Sequence, residues 1–79
     1  MNDAKYIRTN NDQIIVFSAG MNHSDFKHMN PVSAGFICFQ TDIKTRDVIC
    51  QCYGESVGLK LKSDTDDSKL AEIQLLNNY

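Results

Sequence analysis

The chain has no tryptophan, a single proline, four glycines and no low-complexity run. Low-complexity disorder and fibrous repeats are therefore poor descriptions of it. No apolar stretch approaches the ~20 residues that a membrane-crossing helix needs, so no membrane partner is expected. The opening residues, Met1-Asn2-Asp3-Ala4-Lys5, carry no apolar segment of the signal-peptide type. The protein is expected to be soluble and to stay in the cytoplasm. An excess of positive charge is also missing: 8 Lys and Arg stand against 10 Asp and Glu, a net charge of −2. A duplex nucleic-acid binder must neutralise several phosphates, and this balance argues against one.

What remains is an ordinary globular composition, 42% hydrophobic and 23% charged over 79 residues. That length allows one domain, residues 1–79. A domain so short buries only ~60% of its unfolded surface and tends to borrow stability from a partner or from self-association. The three cysteines are an odd number, and free thiols are the default reading. Asn22-His23-Ser24 matches the glycosylation triplet, but without a secretory signal it reads as chance.

Along the chain, Lys5–Thr9 and Gln13–Phe17 read as strands around the turn-forming Asn10-Asn11-Asp12, a first hairpin over residues 4–18. Ser24–Met29 reads as one helical turn capped by Asn22 or Ser24, closed by Pro31, which biases Asn30 towards extended geometry. Val32–Gln40 is a strand whose run Phe36-Ile37-Cys38-Phe39 suits burial on both faces. Gly35 within it suggests a bulge or a close backbone approach. Val48–Tyr53 follows a polar connector, with Val48, Cys50 and Cys52 on one face and Ile49, Gln51 and Tyr53 on the other. These two strands form a second hairpin, expected at the centre of the sheet. Val57, Leu59 and Leu61 alternate with Gly58, Lys60 and Lys62, giving a fifth, half-buried strand with a lysine edge. Ser63–Asp67 reads as a helix start capped by Asp64 or Ser63. Leu70, Ala71, Ile73, Leu75 and Leu76 supply an apolar stripe, ended by Asn77 and Asn78. The expected fold is α+β: a small antiparallel sheet of about five strands with one C-terminal helix packed on it.

Candidate chemistry is sparse. Cys50 and Cys52 sit on one side of a strand, ~7 Å apart at Cα, a spacing that suits neither a relaxed disulfide nor a zinc knuckle. Buried thiols acting as small hydrophobes explain all three cysteines better. His23 and His28, five residues apart, would lie on different helix faces and read as surface loop residues; either could donate to an anionic ligand if the loop lines a pocket. Ser33, Ser56, Glu55 and the histidines are at no spacing that links nucleophile, base and orienting group. No catalytic residue, metal or cofactor is assigned. Tyr53-Gly54-Glu55-Ser56, at a strand end, can present a ring, a carboxylate and a hydroxyl to a ligand, or can simply satisfy a turn. Lys60 and Lys62, with Lys44 and Arg46, form either a small basic surface or isolated surface charges.

Taken in order, Tyr6-Ile7, Ile14-Ile15-Val16-Phe17, Ser33-Ala34-Gly35-Phe36, Cys52-Tyr53-Gly54-Glu55-Ser56 and Leu59-Lys60-Leu61-Lys62-Ser63 resemble short phage- and prophage-encoded accessory proteins over most of the chain. The resemblance implies a binding role: inhibition of a host protein, or sequestration of a signalling nucleotide in antiviral defence. No site residues come with it. The leading expectation is a non-enzymatic, homo-oligomeric binding protein, a phage accessory or counter-defence factor whose partner is a host protein or a small anionic nucleotide. In the nucleotide version the pocket lies between subunits, with Tyr53 stacking on a base and Lys60 or Lys62 meeting phosphate. Glu55, Ser56, His23 and His28 complete the candidate ligand set. The alternatives are a structural subunit of a virion or larger complex, and a small thiol- or His-dependent enzyme.

Overall fold

β-branched and aromatic residues pair where their alternation places them in the computed structural model, which describes residues 3–76. β1 (Ala4–Thr9) and β2 (Ile14–Phe17) form the expected first hairpin, with Tyr6 opposite Val16 and Ile7 opposite Ile15. In its turn Asp12 adopts φ 64°, left-handed geometry that Asp tolerates better than most residues. The Thr9 hydroxyl accepts the Asn11 and Gln13 N–H groups there.

A crossover then carries the chain past β1. It contains a 3-10 turn, His23–Met29, entered at Asn22, where the Asp25 carboxylate accepts the Asn22 N–H. Asn30 is not extended as Pro31 led one to expect; it has φ 56° and ψ 58°. Two hydrogen bonds hold it there: its N–H donates to Lys27 and its carbonyl accepts the Asn10 N–H. β3 (Pro31–Thr41) pairs with the far side of β1, and β4 (Val48–Tyr53) pairs with β3. The order is β2-β1-β3-β4, antiparallel throughout. β1 and β3 are therefore central and β4 is an edge, so the second hairpin is not the middle of the sheet. The crossover sets this arrangement by delivering the longest strand to β1's open side.

The fifth strand of the main sheet does not form. Val57–Lys60 is a tight turn between two short strands, β5 (Glu55–Ser56) and β6 (Leu61–Lys62), which pair with each other. The Ser56 hydroxyl accepts the Leu59 N–H and Lys60 takes φ 56°. Local side-chain bonding thus outcompetes the ladder that the alternation suggested.

The two faces of the main sheet have different covers. On one, Tyr6, Ile14, Ile37 and Cys50 pack under Ala71, Leu70 and Leu76. On the other, Ile7, Phe17 and Ala34 pack under Phe26 and Met29 of the 3-10 turn and Leu59 and Leu61 of the small hairpin. That second cover stops short of β4, which leaves Phe36 and Cys38 half-buried on this face; on the other, Ile37 is buried and Phe39 is half-buried against the Tyr6–Ile37–Cys50 cluster.

The C-terminal helix, α1 (Asp67–Ala71), has Asp66 as its N-cap and continues as a wider π-type turn, Glu72–Leu76. Asp64 lies two residues earlier, its carboxylate accepting the Asp66 N–H. Ile73, two residues beyond the buried Ala71 and so on the opposite side of the helix, is exposed, as is Leu75. The stop expected at Asn77 and Asn78 lies outside the described residues. Among the described residues no helix is long and apolar enough to cross a membrane.

Candidate binding surface

His23 is drawn inward by the start of the 3-10 turn and is 7% exposed, not the surface residue its loop suggested. Its Nε2 lies 2.7 Å from the Gly35 carbonyl, and its ring meets Phe17 and Phe36 edge-on. This is a packed core histidine with a satisfied nitrogen. His28 is exposed further along the same turn.

A cleft of about 350 Å³ opens between the 3-10 turn and the small hairpin, lined by Lys5, His23, Phe36, Glu55 and Ser56 among others. Lys5 spends its ammonium on the Met21 carbonyl at 2.7 Å. Ser56 is buried and holds the Val57–Lys60 turn, the local role its position allowed. Lys60 and Lys62 line a neighbouring cleft, again with Glu55 and Ser56, and Glu55 sits opposite Lys62 in the β5–β6 register. Basic and acidic groups share both places, so neither is a concentrated anion site.

Tyr53 lies elsewhere. Its ring stacks on Phe36 at 5.8 Å, its hydroxyl bonds the Asp3 carboxylate, and it lines a shallow depression with Cys38, Gln40 and Gln51. The structure therefore brings His23, Glu55 and Ser56 together, and Lys60 and Lys62 beside them. It leaves Tyr53 and His28 apart from both groups.

The depression beside Tyr53 belongs to a larger bare surface. Beyond the reach of the small hairpin, β3 and β4 present Cys38, Gln40, Ile49, Gln51 and Tyr53 side by side, in the register Gln40–Ile49, Cys38–Gln51 and Phe36–Tyr53. Ile49 and Tyr53 are exposed, and Ile43 at the hairpin tip is 92% exposed. The alternation of the sequence showed that Ile49, Gln51 and Tyr53 share a face, but not that this face is the bare one.

The other side of β4 holds Cys50 and Cys52 under α1. Ser68 joins them: its carbonyl lies 3.5 Å from Cys50 Sγ, and its hydroxyl accepts the Cys52 N–H at 2.8 Å. Burial, helped by the neighbouring Cys50 and Asp67, pushes the Cys52 thiol up to about 12. Burial also raises Cys50. Both are thiols, not thiolates, at neutral pH, and so are poor nucleophiles. No set of three metal-ligating side chains gathers among the described residues.

One polar cluster had no signal in the local sequence. Asp67, fully buried, accepts hydrogen bonds from the Tyr6 hydroxyl, from Arg8 Nη1 at 3.0 Å and from the Asp64 N–H at 2.9 Å. Burial works against its charge, but these donors outweigh it and hold the carboxyl below its ordinary range. Burial and the facing carboxylate raise Tyr6. The Ser33 hydroxyl is buried too and has no partner in hydrogen-bonding geometry among the described residues. With its members joined across the chain and closed off under α1, the cluster fastens helix to sheet.

No protein-family model, curated protein or solved structure matches this chain. The surface must be read from its own geometry.

Proposed function

We propose that this is a non-enzymatic binding protein that works as a homo-oligomer in the cytoplasm. In this reading it is an accessory or counter-defence factor of the phage and prophage kind, and it docks a host protein on the bare β3–β4 face. The observation that carries the reading is that face itself. It joins an exposed aromatic ring, an exposed isoleucine and two amide side chains on the sheet, with no charged residue among Cys38, Gln40, Ile49, Gln51 and Tyr53 and the Asp3 carboxylate at its margin, bonded to the Tyr53 hydroxyl. Interfaces favour this mixture: an aromatic anchor, depleted charge at the centre and amides that adapt to a partner's polar groups. The nucleotide reading needs two subunits to bring its stacking ring and its lysines together, since they line different depressions of one subunit.

The test is a paired capture from host lysate with the wild-type chain and a Gln51→Glu, Tyr53→Ala variant, combined with native mass spectrometry of the purified protein. The reading expects one host protein retained by the wild type and lost by the variant at unchanged circular dichroism. Equal retention by both forms overturns the β3–β4 face. A nucleotide released at a fixed ratio replaces the host-protein target with sequestration.

A further inference from the structure

We infer that β4 is a self-pairing edge: two copies of the chain join β4 to β4, antiparallel, about a two-fold axis at Ile49. The result is one continuous sheet with four strands from each copy. The inference rests on the proposed oligomeric state and supplies its surface and register.

In an antiparallel ladder the backbone groups of successive residues point alternately toward and away from the partner strand. The Cys52 N–H points away from β3, because it donates to Ser68 Oγ. Cys50 and Val48 share that outward orientation by alternation. Among the described residues, no side chain or neighbouring loop bonds the N–H of either one. The opposite edge differs. In β2 the outward Ile14 N–H is taken by Gln74 Oε1 at 2.8 Å, leaving Val16 as the one other outward residue of that short strand. A ladder needs consecutive open positions; β4 has them and β2 does not.

The Ser68 cap also selects the register. Pairing about Cys50 would set Val48 against Cys52 and demand the N–H that Ser68 already holds. Pairing about Ile49 sets Val48 against the partner's Cys50 and uses only the two open positions of each copy. Each such pair exchanges both of its N–H···O bonds. Side chains agree with this register. Ile49, 48% exposed, faces its own copy at a non-hydrogen-bonded site, where Cα atoms approach to ~4.5 Å. Asp47 falls opposite Gln51 and meets no like charge. Val48–Tyr53 contains no charged residue and no proline, so the edge lacks the devices that ordinarily keep strands apart.

The experiment compares Ile49→Cys and Gln51→Cys, each in a Cys38→Ser background, oxidised gently and analysed on non-reducing gels with peptide mapping. The Ile49 register expects a covalent dimer from Ile49→Cys through its own copy and none from Gln51→Cys. The Gln51 Cα atoms would lie ~13 Å apart, beyond disulfide reach. A cross-link formed only when the two variants are mixed places the axis at Cys50 and overturns the register. Ile49→Lys, at an exposed position, sets two ammonium groups face to face and is expected to convert the dimer to monomer in light scattering at unchanged circular dichroism. A wild type that is monomeric at tens of micromolar overturns both the inference and the oligomeric reading. A wild-type dimer that neither cross-links at position 49 nor dissociates with Ile49→Lys overturns the β4 surface alone.

Discussion

Asp67 is a carboxylate with no solvent exposure whose charge is held by a phenol, a guanidinium and a backbone amide. Removing one member of such a group strands the others, a cost of about 3 kcal/mol. Asp67→Ala is expected to lower the unfolding free energy by that order in urea melts at pH 7. Because folding depresses the Asp67 pKa, its contribution is complete above the unfolded-state value of about 3.9 and is lost as pH falls through the lower folded value. The difference in melting temperature between wild type and Asp67→Asn should therefore shrink as pH drops from 5 towards 2. At the thiols the expectation is kinetic. With Cys52 raised from 9.0 to about 12, its thiolate fraction at pH 8 falls about a thousandfold. Iodoacetamide followed by peptide mapping should find Cys52 unlabelled until the protein is unfolded. The sequence showed that Cys50 and Cys52 share a face, because alternation is local. It could not show that Asp67 answers Tyr6 and Arg8, or that His23 answers Gly35, because those partners are distant along the chain.

The elements followed from the sequence wherever a period was strong. β1, β2, β3 and β4 lie close to where β-branched and aromatic runs put them, and the 3-10 turn lies where Ser24–Met29 suggested one helical turn. Val57–Leu61 failed as a strand because the Ser56 hydroxyl offers the backbone a competing turn. The C-terminal stripe was only half right: Leu70, Ala71 and Leu76 pack on the sheet, whereas Ile73, opposite Ala71 on the helix, and Leu75 are exposed. Gly35 was correctly suspected of a close approach: a Cβ there would sit 2.3 Å from the Tyr53 carbonyl oxygen. Gly35→Ala must push β3 from β4, and a loss of more than about 2 kcal/mol is expected, read as a lower urea midpoint. Gln74→Ala removes the acceptor for the Ile14 N–H and should cost about 1 kcal/mol. Hydrogen exchange at Ile14 should rise at the same time.

Across the molecule, the α+β class and the helix-on-sheet layering were legible, whereas strand order and the location of the bare face were not. Those depend on which side of β1 the crossover reaches, and no local pattern encodes that. The extents of 39 × 25 × 20 Å reflect this order, since the long β3–β4 hairpin runs past the cover of the second face. The C-terminal segment has the opposite role. Ser68 bonds one margin of the sheet and Gln74 the other, and Ala71 covers the core between them. A chain ended at Lys62 uncovers Tyr6, Ile14 and Ile37 together. It is expected to show no cooperative thermal transition, while the full chain shows a single one.

Tyr6 and Asp67 are separated by 61 positions, which has a consequence for timing. Strand pairing in the two hairpins needs only short loops to close, but the buried carboxylate is satisfied only after almost the entire polypeptide has been gathered. Closure over such a span is slow relative to hairpin formation. For that interval the apolar side of the sheet faces water and its margins stand uncapped. The vulnerable moment of this protein thus falls late in folding, and a chaperone or a second copy arriving then would meet the sheet before its own helix does.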